Sequence, residues 1–148
     1  MKTHNMKITI PLLIAITLSA VLSCKKSDPT TEDIQNQISR KFQSSTWKVR
    51  NVQRDGVDVT SDYSGFMLNI GSGTYTTVNG SLAWPASGTW AFKSQSTTQV
   101  IRDGSIPVDF VFDDPNKSLT LTFTITQSTY TNGRTSALQG GYIFSLVP

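Results

Sequence analysis

The sequence predicts an all-β protein, an antiparallel up-and-down barrel of about eight strands preceded by one short α-helix. Three observations point there. From Thr46 onward apolar and polar residues alternate, most cleanly where Leu119, Leu121, Phe123 and Ile125 interleave with Thr120, Thr122 and Thr124, the pattern of strands with one buried face. Turn signals such as Asp55-Gly56, Asn79-Gly80 and Asp103-Gly104 punctuate the runs at hairpin-like spacing. No helical pattern separates them, so neighbouring strands should pair antiparallel. A meander of this length loses its exposed edges by closing on itself; a two-sheet sandwich is the alternative closure.

The first 23 residues follow another rule. Lys2 and Lys7 give a positive start, Ile8 to Leu22 is mostly apolar, and the small residue Ser23 precedes Cys24, as in a secretory signal peptide. The run is shorter than the roughly 20 apolar residues of a comfortable membrane-spanning helix. Val21-Leu22-Ser23-Cys24 resembles a bacterial lipobox. That resemblance implies cleavage before Cys24, a diacylglycerol on its thiol and acylation (a palmitate-type chain) of the new amine. Each buried methylene adds about 0.8 kcal/mol to membrane binding, so several chains hold firmly where one does not. Residue 25 is lysine rather than the aspartate that favours inner-membrane retention of such lipoproteins, so the expected location is the cell envelope, at the outer membrane.

Processing at Cys24 also limits the chemistry. The only histidine, His4, leaves with the leader, and the only cysteine becomes the first mature residue. Losing Lys2 and Lys7 lowers the formal charge from +3 to +1. A nucleic-acid binder keeps a clustered basic face; here Arg40, Lys41, Lys48, Arg50 and Arg54 flank or alternate with apolar positions, so no nucleic-acid partner is expected. A lone cysteine forms no internal disulfide, but a mature chain of about 125 residues buries enough surface for one core. The expected organisation is a lipoprotein signal peptide over 1–23, an acylated cysteine and polar tether over 24–31, and a barrel domain with its helix over 32–148.

Lys25 to Thr31 contains Pro29 and reaches about 25 Å when extended. Thr31-Glu32-Asp33 reads as a helix start, with a capping hydroxyl and acidic first-turn residues. Ile34, Ile38 and Phe42 then recur every fourth residue, giving a helix over Glu32 to Gln43 with one apolar stripe. Packing of that stripe on the barrel is the simplest use for it; contact with lipid is the other.

The expected strands follow in order. Thr46 to Arg54 places Trp47 and Val49 on one face, and Val57 to Thr60 is a short strand or widened turn. Gly65 to Ile70 carries Phe66, Leu68 and Ile70 on one face. Gly71-Ser72-Gly73 turns, and Thr74 to Val78 returns. Ser81 to Ser87 contains Trp84-Pro85 and should be a loop, since proline donates nothing to a ladder. Gly88 to Lys93 alternates Trp90 and Phe92 with Thr89 and Ala91. Thr97 to Arg102, Ile106 to Phe112 (with Phe110 inward), Ser118 to Gln127 and Gly140 to Val147 (with Tyr142 and Phe144 inward) complete the set. Asp113-Asp114-Pro115-Asn116 is a proline-fixed turn.

A helix, a strand opening on Ser45-Thr46-Trp47 and a meander ending in Gly141-Tyr142-Ile143-Phe144 together resemble bacterial lipocalin-like lipoproteins. Lipocalins carry Gly-x-Trp at the first strand, and Ser45 stands in the glycine's place. The resemblance implies that Trp47 closes the barrel base under an arginine near the last strand, for which Arg134 is the nearest candidate. The lipocalin Thr-Asp-Tyr signature between late strands is absent, and Ser61-Asp62-Tyr63 lies in a different place. The resemblance spans roughly Thr31 to Pro148 and speaks to fold more than to activity.

Without histidine or a free thiol, the mature chain offers no Ser-His-Asp triad, Cys-His pair or conventional zinc site. Asp58 and Asp62, or Asp113 and Asp114 with Asn116, are the carboxylate groupings left, and neither has EF-hand spacing. Gly71-Ser72-Gly73 joins two strands without a following Lys-Ser/Thr, so it reads as a hairpin turn rather than a phosphate loop. No catalytic residue, metal or cofactor is expected. Trp84 is either an exposed aromatic at the barrel mouth or the buried anchor of its loop. The expected function is binding of a small apolar ligand in or at the mouth of the barrel, lined by Phe66, Leu68, Trp90, Phe92, Phe110, Phe123, Tyr142 and Phe144, since eight strands leave room for side chains or one small ligand. The alternative is a structural, protein-interaction or glycan-binding module of the envelope whose core those same residues fill.

Overall fold

The structure, a computed structural model, describes residues 28–80, 83–115, 117–126 and 139–148. The helix α1 runs Thr31–Gln43. Its cap is Thr30, one residue before the hydroxyl expected from sequence: the Thr30 Oγ1 accepts from the Asp33 N–H at 3.2 Å, and the Asp33 carboxylate accepts from the Thr30 N–H at 3.0 Å. Each side chain thereby satisfies a backbone donor that the first turn leaves orphaned. These bonds hold the Asp33 carboxyl below its ordinary range. Glu32 and Asp33 in the first turn and Arg40 and Lys41 in the last complement the helix dipole.

Nine strands follow among the described residues: β1 Trp47–Arg54, β2 Val57–Asp58, β3 Met67–Ile70, β4 Thr74–Val78, β5 Ser87–Phe92, β6 Gln99–Arg102, β7 Ile106–Asp113, β8 Ser118–Ile125 and β9 Gly140–Val147. Each consecutive pair from β3 to β9 is antiparallel, β1 pairs with β3, and β1 closes on β9 from Lys48 opposite Val147 to Arg54 opposite Tyr142. The result is a closed eight-stranded antiparallel barrel, with β2 a two-residue extension folded back on β1. Closure of β1 on β9 decides against the sandwich. At Asp55-Gly56 and Asp103-Gly104 both central residues have positive φ, as the twist-matched two-residue hairpin turn requires.

One irregularity sets which side chains face inward. Val49 pairs with Leu146 while Asn51 pairs with Ser145, so Arg50 is an extra residue in β1. This bulge changes the phase: Trp47 faces the core before it, and Val52, with no exposed surface, faces the core after it. Beyond β2 a 3-10 turn over Thr60–Tyr63 tucks Tyr63 against Phe144, ring centroids 4.9 Å apart.

Strand direction gives the barrel two distinct ends. Turns 71–73 and 93–98 and the Asp114 turn gather at one, where α1 lies across them: Gln35 donates to the Ser96 carbonyl at 2.7 Å, and Lys41 meets Asp114 at 2.7 Å. The expected stripe is used here. Phe42, 2% exposed, packs on Trp90, Phe110 and Phe112, with Ile38 partly buried beside it. The other end gathers the turns at 55–56 and 103–105, the 59–66 segment and the connection from β4 to β5.

Candidate functional site

The candidate site is the barrel interior, from the helix-covered end to the connection after β4. Phe66, Leu68, Phe110, Phe123, Tyr142 and Phe144 are all at most 5% exposed, and Trp90 and Phe92 are partly buried. All but Phe66, which immediately precedes β3, occupy inward strand positions, and their rings form two groups: Trp90, Phe92 and Phe110 beside Phe42, and Phe66, Phe123, Tyr142 and Phe144 beyond. In the second group Phe123 stacks on Tyr142 at 5.4 Å and on Phe144 at 5.7 Å, and Phe66 tilts against Phe144 at 5.2 Å. Trp47 lies at the helix-covered end, where its indole N–H donates to the Phe42 carbonyl at 2.9 Å and its ring tilts against Phe112. Arg134 and Cys24 lie outside the described residues.

Trp84 is the residue that fills the barrel. The connection after β4 turns inward, so that Ala83 is fully buried and Trp84 is 5% exposed. The turn is held by the Trp84 N–H donating to the Gly80 carbonyl at 3.0 Å and by the Thr77 hydroxyl donating to the Pro85 carbonyl at 2.8 Å. A Cβ on Gly80 would collide with the Trp84 backbone, so the inward turn depends on glycine there. The indole sits edge-on to Tyr75 and Phe123, each at 5.4 Å. It is a plug rather than an exposed mouth aromatic.

Arg102 is the polar residue that a reading of motifs passes over. It is 2% exposed, and its guanidinium carbon lies 4.3 Å from the Trp84 ring centroid and 4.7 Å from that of Phe123. Cation–π attraction to such rings is strongest where water is excluded. Nε is 3.5 Å from Asp103 Oδ2, an ion-pair distance but not a hydrogen bond. Nε and Nη1 of Arg102 and Nε1 of Trp84 have no hydrogen-bond partner among the described residues. Asp103 is engaged elsewhere: Oδ2 accepts from the Tyr75 hydroxyl at 2.6 Å and Oδ1 from the Thr89 N–H at 2.9 Å. Burial, then the bond to Asp103, pushes the Tyr75 phenol up, while burial pushes Arg102 down. The parity signal was present, since Arg102 follows Val100 by two in β6 and so shares its inward face.

Among the described residues the interior holds a cavity of about 30 Å³ with an apolar wall, bounded by Phe42, Leu68, Tyr75, Trp84, Trp90 and Leu121 among others. By the same measure one water needs roughly 10–15 Å³. The cavity therefore admits a species of one to three heavy atoms and no lipid chain. The aspartates have structural duties on the outside. Asp58 accepts from the Thr60 N–H at 2.8 Å and from Asn51 at 3.1 Å, and the Thr60 bonds hold its carboxyl low. Asp109 accepts from Gln99 at 2.7 Å, and Asp114 pairs with Lys41. Among the described residues no three His, Cys, Asp or Glu side chains converge on a metal position. No protein-family model, curated protein or solved structure matches this chain.

Proposed function

We propose that this chain is a lipid-anchored, non-enzymatic module of the bacterial cell envelope that presents its surface to a protein or glycan partner, its core being filled. The observation that carries the reading is the interior: with Trp84 folded inward, about 30 Å³ is left, too little for the small apolar ligand of a hollow lipocalin-like barrel. The closed barrel with its N-terminal helix is the architecture of a lipocalin-like fold, put to a different use. The anchor reading rests on Val21-Leu22-Ser23-Cys24 and on Lys25 at the following position, which favour cleavage, acylation and an outer-membrane location. The outward faces support a surface role. On β8 Thr120 lies opposite Val111, 65% exposed, and Thr122 opposite Ile143, 38% exposed.

In-cell photo-crosslinking tests the proposal, with the crosslinker at Val111, Ile143 or Val57. A reproducible adduct of defined mass from one of these outward sites, absent from a buried control at Leu119, is the expected result. Absence of any reproducible adduct from all three would remove the interaction reading. Cys24→Ser separately releases the protein from the membrane fraction if the anchor reading holds.

A further inference from the structure

The two ends of the barrel differ in charge as well as in closure. At the helix end Arg40, Lys41, Lys48, Lys93 and Lys117 are exposed. Five acids share that end, Asp28, Glu32, Asp33, Asp113 and Asp114, but Asp33 is tied into the helix cap and Asp114 pairs with Lys41. Lys25 and Lys26 precede the helix and add two bases on its side. The plug end carries Asp55, Asp58, Asp62 and Asp103 against Arg54 and the buried Arg102 among the described residues. Side chains at the helix end, with the two preceding lysines, therefore sum to two positive charges, and those described at the plug end to two negative.

We infer that the helix end rests on an anionic phospholipid surface, with α1 against the headgroups and the plug end turned away from the bilayer. This rests on the anchor reading of Cys24. Chain length is the first argument. Six steps along the chain separate Cys24 from the capping Thr30, and they span at most about 22 Å. To lie plug end down, the chain would have to run back past the layer formed by α1, about 10 Å thick. It would then have to pass strands of eight residues, about 20 Å tall once tilted. The tether is too short for that. Charge is the second argument. A basic residue near an anionic leaflet is drawn to it and an acidic one is repelled, so among the orientations the tether leaves open, the positive end down is favoured. Arg40 and Lys117 carry this attraction furthest, since neither has an acidic partner among the described residues. Docked this way, the barrel keeps its plug end and its outer strand faces free for a partner.

The test uses the protein as extracted from its own membrane, reconstituted into vesicles of phosphatidylcholine alone or mixed equally with phosphatidylglycerol. A fluorophore is placed on Ser72→Cys, in the turn beside the outer face of α1, or on Val57→Cys at the plug end, and a quencher is attached to the lipid headgroups. Flotation with the vesicles reads the anchor, and quenching reads the orientation. The expected result is flotation with both compositions and, with phosphatidylglycerol, quenching at Ser72→Cys but not at Val57→Cys. That contrast fades in phosphatidylcholine alone and at about 1 M salt, where charges are screened beyond about 3 Å. Arg40→Gln combined with Lys117→Gln lowers the docked population on the order of tenfold and leaves flotation unchanged. A protein that does not float removes the anchor reading and this inference with it. A floating protein quenched equally at both probes, or whose contrast is undiminished in phosphatidylcholine alone or in the double variant, overturns the docking and leaves the anchor standing.

Discussion

At one end of the barrel a helix lies across the opening; at the other a loop turns into it. The three tryptophans record the difference. Trp47 and Trp90, at the helix end, donate their indole N–H groups to the Phe42 and Gly71 carbonyls, whereas Trp84, in the plug, donates to nothing among the described residues. The helix end does have one orphan, the acceptor Gln99 Oε1, but its amide nitrogen is tied to Asp109. Among the described residues the plugged end has three orphan donors, two of them on the buried Arg102 guanidinium. An unsatisfied buried polar group costs about 1–3 kcal/mol, so the two closures differ in kind. The helix closes its end with its polar groups largely paired, and the plug closes its end around buried donors that the described residues leave unpaired.

The sharpest way to break this contrast is to truncate the anchor at each end. Phe42→Ala should cost about 3–5 kcal/mol in urea unfolding, the usual price of a large-to-small change at a packed aromatic. Trp84→Ala should cost less, about 2 kcal/mol, because hydration of Arg102 and removal of the unpaired indole N–H offset part of the cavity term. It should also create saturable binding of an apolar fluorescent dye that the unaltered protein lacks. Equal losses at both positions would mean that the plug is as much a part of the core as the helix.

A smaller effect separates the ends by pH. The Tyr75 phenol is raised above its ordinary value of 10.0 by burial and by its bond to Asp103, and Tyr63 is raised by burial and by Tyr142. A group raised in the folded state contributes stability that is complete below its unfolded value and is lost as pH climbs toward the folded value. Unfolding midpoints should therefore fall between pH 10 and pH 12, less steeply in Tyr75→Phe. At the helix end the sign is reversed. Asp33 is held low by Thr30, so its contribution is present above 3.8 and fades as pH falls. Thr30→Ala should move the Asp33 carboxyl only part of the way back up in an NMR titration, because the backbone N–H of residue 30, the larger cause, is retained. Smallest of all, Lys41→Ala should cost at most about 1 kcal/mol and nothing at high salt, because the pair with Asp114 is exposed.

The barrel was legible in the sequence because alternation along β7, β8 and β9 is nearly unbroken, and antiparallel neighbours follow from short turns. Two local events were not. A bulge leaves little trace in composition, so nothing around Arg50 announced that Val52 rather than Asn51 would turn inward. Trp84-Pro85 marked a loop correctly, but a loop's backbone does not say on which side of the barrel its aromatic will rest; the close approach of Gly80 to Trp84 decides that. Arg102 was readable from its parity with Val100 and was passed over because a charge at a strand end is ordinarily solvated. The resemblance pointed to Trp47 and Arg134, and Arg134 lies outside the described residues; among those described, Arg102 stacks on Trp84.

Native mass spectrometry of protein extracted from its own membrane tests the central claim, that Trp84 fills the barrel, most directly. The filled interior predicts, in the unaltered protein, the same mass under native and denaturing conditions and no stoichiometric organic passenger. A reproducible one-to-one small-molecule adduct, released on denaturation and absent when the interior is blocked by Val108→Phe, would contradict it.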